Sequence, residues 1–423
     1  DSRILDIARE HYGQESISDS KLMERIVDRK NKDLLGMVEL KFHFEMPISE
    51  AVTFVYEPRA NVNEFSLRYS EARDVFDNLR NYRSILGTLI RTPELEEILS
   101  EDESFSRNSF SRYSNARSPD RDIAKEIARS MLGSNLYTRF YWKINLGDLL
   151  DFSTRSYRED PSQQTEDYVR TLVSIANKIA PLTVSQYLFS EGLSNLIEDI
   201  SPNEKADTRF VHAVSPEAEK LIDIPLGVLG NSSITLVDYM GNDMSVLNAA
   251  RVSTGKDEKP RSEAENRGLI NYLMRHRHTT PSEMVEFLWK FRVPLFVYRQ
   301  GGRHRTFERV LCDADDDIEF YHPEKELITA QSRSNHQGRG EAVHQELAQG
   351  ILDDMNANER EAMALYNRLR IKSIDVSTSK RHLPVNRLLT YYFKGDLHNV
   401  LHYLGLRLES HAQYEIREAS EAI

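Results

Sequence analysis

The stretches VELKFHFEMP (Val38 to Pro47) and VEFLWKFRVP (Val285 to Pro294) read as two copies of one strand. Val38 falls on Val285, Glu39 on Glu286, Phe42 on Trp289, Phe44 on Phe291 and Pro47 on Pro294, all at the offset of 247 that separates Val38 from Val285. In both copies apolar residues alternate with mostly polar ones, the period of a half-buried strand. A second pair follows in the same order. NLYTRFYW (Asn135 to Trp142) falls on NRLLTYYF (Asn386 to Phe393), at the offset of 251 between Asn135 and Asn386. Two ordered matches with nearly equal offsets identify a tandem duplication.

A chain of 423 residues accommodates two domains of about 200 residues each. The expected division is 1–212 and 213–423, with the junction between Ala206 and Asn231, where Pro216, Pro225 and several glycines cluster. Ser100 to Asp120, rich in Ser, Arg and Asn, reads as a mobile loop. SITLVDYMG (Ser233 to Gly241) reads as an edge-forming strand and turn. Asp396 to Ile423 reads as helix, with Arg407, Ser410, His411 and Tyr414 on one face.

Composition narrows the function. Hydrophobic content of 39% supports ordinary cores, and no apolar run approaches the roughly 18 residues of a membrane helix. Cys312 is the only cysteine, which excludes an intramolecular disulfide and a Cys-based metal site and fits a cytoplasmic protein. The chain starts at Asp1 without methionine and reads as a trimmed or incomplete product. A formal charge of -12 argues against a nucleic-acid polymer as partner. It leaves room for a small anion in a local basic pocket, and Arg299 to Arg309 supplies one.

That basic stretch contains half of a motif. VYRQGGRHRT carries Arg303-His304-Arg305, and the eighth residue after Arg305 is Asp313, at the start of the acidic run Asp313 to Asp317. ANVNEFSLRYSE (Ala60 to Glu71) has Asn63, Glu64, Ser66, Arg68 and Tyr69 but no Arg-His-Arg before it; at the offset of 247, Tyr56-Glu57-Pro58 stands there instead. Alone, Arg-His-Arg is a solvated basic surface and NEFSLRYS a strand-edge turn. Their pairing across the two repeats gives them weight. The acidic run reads as a solvated loop, with neutralisation of a vacated site as the alternative. His276 and His278, spaced i, i+2 with no third ligand nearby, do not make a metal site.

These residues resemble the flavin-dependent thymidylate synthases. The matching stretches of the C-terminal half are LVDYMGNDMSVLNAARVS, LMRHRHTTPSE, PLFVYRQGGRHRT and LGLRLESHAQYEIREASEAI. In the N-terminal half, IARSMLGSNLYTRFYWKIN resembles the family segment with a second substrate arginine, Arg129 here, and a flavin-contacting asparagine, Asn145 here. Lys380 and Asp396 stand at those positions in the second repeat. The resemblance implies an α+β fold of two tandem domains, each an antiparallel sheet flanked by helices.

The resemblance also assigns roles. Arg407 is the expected catalytic cation, facing the pyrimidine and favouring ionisation at ring N3. Gln300, Arg303, Glu64, Phe65, Ser66, Leu67, Arg68 and Arg129 are the expected substrate-binding residues. His278, Thr280, Arg303, His304, Arg305, Asn63, Glu64, Asn145 and His411 are the expected flavin contacts. The implied reaction converts dUMP to dTMP with FAD, methylenetetrahydrofolate and NADPH, at a composite site drawn from both repeats. Arg-His-Arg and Arg407 survive only in the second repeat, and Glu-x-Ser-x-Arg and Arg129 only in the first, so each pair of halves keeps one site. Family members assemble as tetramers, which implies a homodimer here. Gly301 and Gly302 replace bulky family residues, Gly147 stands where the family often has arginine, and Glu283 keeps an acidic position. Asp151 and His402 match flavin contacts in position but not identity. The alternatives are C5 modification of another pyrimidine nucleotide and a non-catalytic nucleotide-binding homologue. Cys312, beside acidic residues that raise its pKa, reads as a poor nucleophile.

Overall fold

Backbone pairing between strands repeats residue for residue in the two halves of the chain. The computed structural model describes residues 1–13, 16–67, 70–76, 93–159, 163–197, 213–255, 261–313, 318–333 and 339–423. Strand β1 (Glu39–Pro47) pairs antiparallel with β3 (Tyr137–Asn145), from Glu39 opposite Asn145 to Pro47 opposite Tyr137. Strand β2 (Asn61–Glu64) lies on the other side of β3, with Asn61 opposite Lys143, so the sheet runs β1-β3-β2.

The later strands are β4 (Leu226–Gly227), β5 (Ser233–Met240), β6 (Glu286–Pro294), β7 (Glu308–Cys312), β8 (Thr329–Gln331), β9 (Arg339–Ala342) and β10 (Leu388–Asp396). They form a five-stranded sheet β4-β5-β6-β10-β7 and a two-stranded sheet β8-β9. Glu286 is opposite Asp396, Pro294 opposite Leu388, and Glu308 opposite Lys394. Moving β1 and β2 forward by 247 and β3 by 251 turns the first set of ladders into the second. A one-residue slip would turn every side chain to the wrong face. The duplication is thus preserved in the hydrogen-bond register as well as in the residues.

Side-chain packing follows the register. Phe44 stacks on Phe140 at 5.0 Å, and the matching pair Phe291 and Tyr391 stacks at 4.9 Å. Trp142 is fully buried against Phe54 and Phe152, and its indole N–H donates to Phe54 O at 2.9 Å. Its counterpart Phe393 stacks on Phe307 at 4.0 Å. A Cβ on Gly395 would come within 2.4 Å of the Phe307 ring, so only glycine fits there. One residue beyond the β2–β3 ladder, Ala60 and Ile144 occupy the positions that Phe307 and Gly395 fill in the second repeat. The volumes are exchanged across the pair, which keeps the total nearly constant.

Two compact units emerge, and neither is contiguous. The first comprises Asp1, Met23–Ala213 and Gly241–Val285; the second comprises Ser2–Leu22, Val214–Met240 and Glu286–Ile423. Mixed helices and antiparallel sheets agree with the expected α+β class. Among the described residues no helix is long and apolar enough to cross a membrane.

Three local expectations are corrected. Ser100 to Asp120 is mostly not a loop: a helix runs Pro93–Ala116. Tyr113 and Ala116 pack with Ala128, Phe110 and Leu132, and the Tyr113 hydroxyl accepts the Ala72 N–H at 2.9 Å, so a few anchors outweigh a polar composition. SITLVDYMG is strand β5 but not an edge, because the two-residue β4 covers it. The C-terminal helix is interrupted: one helix ends at Arg407, and another runs Tyr414–Glu421. Between them the Ala412 N–H turns back to Glu409 O, and the exposed Leu406 and Leu408 offer no packing to extend the first helix. Ser410 and His411 therefore do not share a helical face with Arg407. Part of the expected junction, residues 206–212, lies outside the described residues.

Candidate functional site

In the first unit, the end of β2 meets the five-residue 3₁₀ helix Thr280–Met284. Buried Asn63 donates its amide to Thr280 O at 3.0 Å, and Asn61 donates to Glu283 Oε2 at 2.9 Å. Glu64 accepts from the Thr138 hydroxyl at 2.9 Å, and burial raises its pKa above the usual carboxylate value despite that bond. The chain then leaves the sheet. Phe65 N–H bonds Arg139 O at 2.8 Å, and Ser66 N–H bonds Ser253 O at 3.1 Å. Gly255 adopts φ +63°, and a Cβ there would lie 2.9 Å from the Phe65 ring, so this turn requires glycine. Leu67 follows half-buried, and Arg68 and Tyr69 lie outside the described residues.

Thr280 and His278 are exposed, and His278 has Tyr272 at 5.7 Å edge-on. Arg129 is half-buried and opens the 3₁₀ turn Arg129–Met131. Asn145 is buried at the start of the helix Leu146–Glu159; its Oδ1 accepts the Asp148 N–H at 2.8 Å. Asp396 makes the equivalent contact with the Asn399 N–H at 2.9 Å, so this pair of positions caps the helix in both repeats. Gly147 has its reason in packing: a Cβ would lie 3.0 Å from Leu35 Cβ.

The second unit holds Gln300, the Arg-His-Arg run, Arg407 and His411. Arg407 Nε donates to His304 Nε2 at 3.1 Å, and its Nη2 donates to Gln300 O at 3.0 Å. The His304 ring packs edge-on against Tyr403 at 4.8 Å. Desolvation first, then the Arg407, His402 and Arg309 charges, lower the His304 pKa to about 4, which leaves Nε2 free to accept. The Gln300 side chain bonds Gln413. Arg303 and Arg305 are exposed, and neither has a hydrogen bond or ion pair among the described residues. His411 is exposed in the turn between the two C-terminal helices. Gly301 sits where a Cβ would meet the Tyr391 and Tyr403 hydroxyls at 3.6 and 3.7 Å, and at Gly302 it would lie 3.0 Å from Arg309 Nη1.

Cys312 ends β7. Its thiol is pushed up to about 12, by burial first and by Glu10 second. The acidic run is corrected in its first member: Asp313 is not solvated but held by Arg387 and Lys380, while residues 314–317 lie outside the described residues. Asp151 is structural, bonded to Lys32, Arg59 and Tyr187. Sequence reasoning passed over Asn61, whose counterpart in the second repeat is Glu308; its partner Glu283 lies 222 residues away, beyond any local signal. Among the described residues no group of three His, Cys, Asp or Glu side chains is placed to hold a metal ion.

A family model described as thymidylate synthase complementing protein matches residues 1–182 and 235–423. A flavin-dependent thymidylate synthase from Ehrlichia ruminantium (strain Gardel) is 42% identical over 213 residues, spanning 50% of this chain and 71% of the relative. The chain belongs to the flavin-dependent thymidylate synthase family. Another flavin-dependent thymidylate synthase, from Ruegeria pomeroyi, is 39% identical over 243 residues, covering 56% of this chain and 78% of the relative. Among solved structures, the UMP/dUMP methylase PolB from Streptomyces cacaoi bound with 5-Br dUMP aligns with 26% identity and a TM-score of 0.41, over 46% of this chain and 89% of that one. The two matched segments of the family model fit the tandem duplication, and the chain is an enzyme of the flavin-dependent thymidylate synthase family.

Proposed function

We propose that the protein methylates dUMP to dTMP, taking a methylene group from methylenetetrahydrofolate and reducing equivalents from NADPH, with FAD bound. The site draws on both repeats, 1–212 and 213–423, and the working assembly is a homodimer. The observation that carries this reading is the Arg407 guanidinium, held by two bonds, one to an imidazole in its base form and one to a carbonyl. Two of its five N–H groups are spent on positioning, and the remaining ones are offered as a fixed cation. Such a cation stabilises the negative charge that develops on a pyrimidine losing its N3 proton, without reorganising during the reaction.

Ser66, Arg68, Arg129 and Gln300 hold the nucleotide phosphate in this reading, guanidinium forks pairing with phosphate oxygens. The donor set also fits a flavin nucleotide. Arg303 and Arg305 are exposed and unpartnered among the described residues, as cations awaiting an anionic ligand are. Asn63, by holding the Thr280 carbonyl, fixes the segment that presents His278 and Thr280. When bound, the flavin supplies the redox chemistry that brings a methylene group to the methyl level. A cysteine nucleophile plays no part, because a thiol buried and raised to about 12 stays protonated at neutral pH.

The test is tritium release from C5-labelled dUMP. Release is expected only with flavin, methylenetetrahydrofolate and NADPH together, along with rescue of a thymidine auxotroph. A folded, flavin-loaded protein that releases no tritium and rescues nothing sinks the reading.

A further inference from the structure

We propose that Lys380 and Arg387 form a second anion-binding site, in the second repeat, kept closed to phosphate monoesters by the chain's own Asp313 carboxylate. The inference rests on the reading that Ser66 and Arg129 bind the nucleotide phosphate in the first repeat. The offset of 247 that relates β2 to β7 carries Ser66 to Asp313, and the offset of 251 that relates β3 to β10 carries Arg129 to Lys380. Both cations occupy the same local structure, the first residue of a three-residue 3₁₀ turn, Arg129–Met131 and Lys380–His382. The hydroxyl position of one repeat has become a carboxylate in the other, and that carboxylate faces the surviving cation.

The geometry is that of an anion in a receptor. Arg387 Nη1 and Nη2 donate to the two Asp313 carboxylate oxygens at 2.7 and 3.0 Å, a parallel two-bond fork. Lys380 Nζ lies 3.2 Å from the same carboxylate and donates to the Asp313 backbone carbonyl at 2.6 Å. A guanidinium fork plus an ammonium is the donor set that binds two or three oxygens of a phosphate monoester. The Lys380 and Arg387 side chains are only 9% and 11% exposed. Two nearly buried cations need a counter-anion. Arg387 aligns with Leu136 of the first repeat, so the second repeat has gained a cation here rather than decayed to an apolar surface.

The first repeat shows the same substitution at its own vacated segment. Glu57, which aligns with His304, is buried and holds Arg59 at 2.8 Å and Arg155. In each repeat, the position that lost its motif residue now carries an internal carboxylate on two cations. The consequence is a chain that presents one phosphate-binding set for its two repeats.

The experiment measures inorganic phosphate binding by calorimetry to Asp313→Ala and Asp313→Asn, against the unsubstituted protein, with circular dichroism to monitor the fold. The expected result is one additional equivalent of orthophosphate per chain in both variants, lost again when Arg387→Ala is added. Orthophosphate should raise the melting temperature of the Asp313 variants more than chloride at equal ionic strength. Folded variants that bind no more orthophosphate than the unsubstituted protein overturn the proposal. So does a failure of both variants to fold at any orthophosphate concentration, because an anion that merely occupies a receptor is replaceable. Neither readout involves turnover. Extra phosphate binding without tritium release defeats the proposed function alone, and tritium release without extra phosphate binding defeats the closed site alone.

Discussion

Arg407 Nε donates to His304 Nε2 across 3.1 Å, so the last residue of a C-terminal helix is aimed by the imidazole of the Arg-His-Arg run. Arg407→Lys keeps the charge but cannot span both His304 Nε2 and Gln300 O with one planar group. Turnover is expected to fall by about 10²–10³-fold, the loss typical of one misplaced oxyanion-type donor. Flavin content should stay unchanged, as the absorbance of the purified variant will show.

The same pair makes a pH prediction. The folded pKa of His304, about 4, lies below the ordinary 6.5. Between those values the unfolded chain binds more protons than the folded one, so stability falls as pH drops from about 6.5 towards 4. The His304 ring signal in an NMR titration should stay in its neutral form down to about pH 5. A ring that titrates near 6.5 would contradict the hydrogen-bond assignment. Arg407→Ala should raise the value only partly, since desolvation is the larger cause.

Lys41 titrates in the opposite part of the range. Burial first, and Lys143 second, lower its pKa to about 8 from 10.5. The folded state then binds fewer protons than the unfolded chain between about 8 and 10.5, and stability rises with pH across that window. Lys41→Met should stabilise the protein at pH 7 by at most ~3 kcal/mol. That advantage should shrink at pH 9.5, as urea midpoints at the two pH values will show.

At Gly255 the positive φ and the Phe65 ring act together. Gly255→Ala is expected to cost about 1–2 kcal/mol from the left-handed backbone alone. Because Phe65 must also shift, the KM for the nucleotide should rise more than kcat falls. An unaltered KM would mean that Phe65 does not hold the Ser66 turn in place.

Arg129 and Lys380 occupy equivalent turns but have different fates in the proposed division of labour. Arg129→Ala should abolish tritium release, whereas Lys380→Ala should leave it within a few-fold of the unsubstituted protein. An essential Lys380 would contradict a single working set per chain.

Much of this was legible in the residues. The strands showed their period of two, and the offsets of 247 and 251 recur in the register of β1 with β3 and of β6 with β10. The meeting of Asn63 with Thr280, 217 residues apart, lay beyond any local signal, and only the family resemblance placed both beside one ligand. Asp313 was misread because its cations lie 67 and 74 residues downstream and a run of acids looks solvated by composition. Pro93–Ala116 was misread for a related reason. Serine and asparagine predict irregular backbone, yet Tyr113 and Ala116 need a partner surface, and finding it makes the helix. Local propensity loses wherever a distant contact is strong enough to override it.

The two compact units trade segments: Gly241–Val285, from the later half of the chain, belongs with Asn61 and Asn63, and Ser2–Leu22, from the earliest part, belongs with the later sheet. Cutting the gene back into two single-copy genes at residue 213 would therefore give two products, each missing a piece made by the other. The N-terminal product would lack Thr280 and Glu283, the acceptors of its own asparagines. A duplication begins as redundancy and can be undone by deletion. Once each copy has lent a segment to the other, neither is a spare, and the ancestral one-copy protein can no longer be recovered from either half.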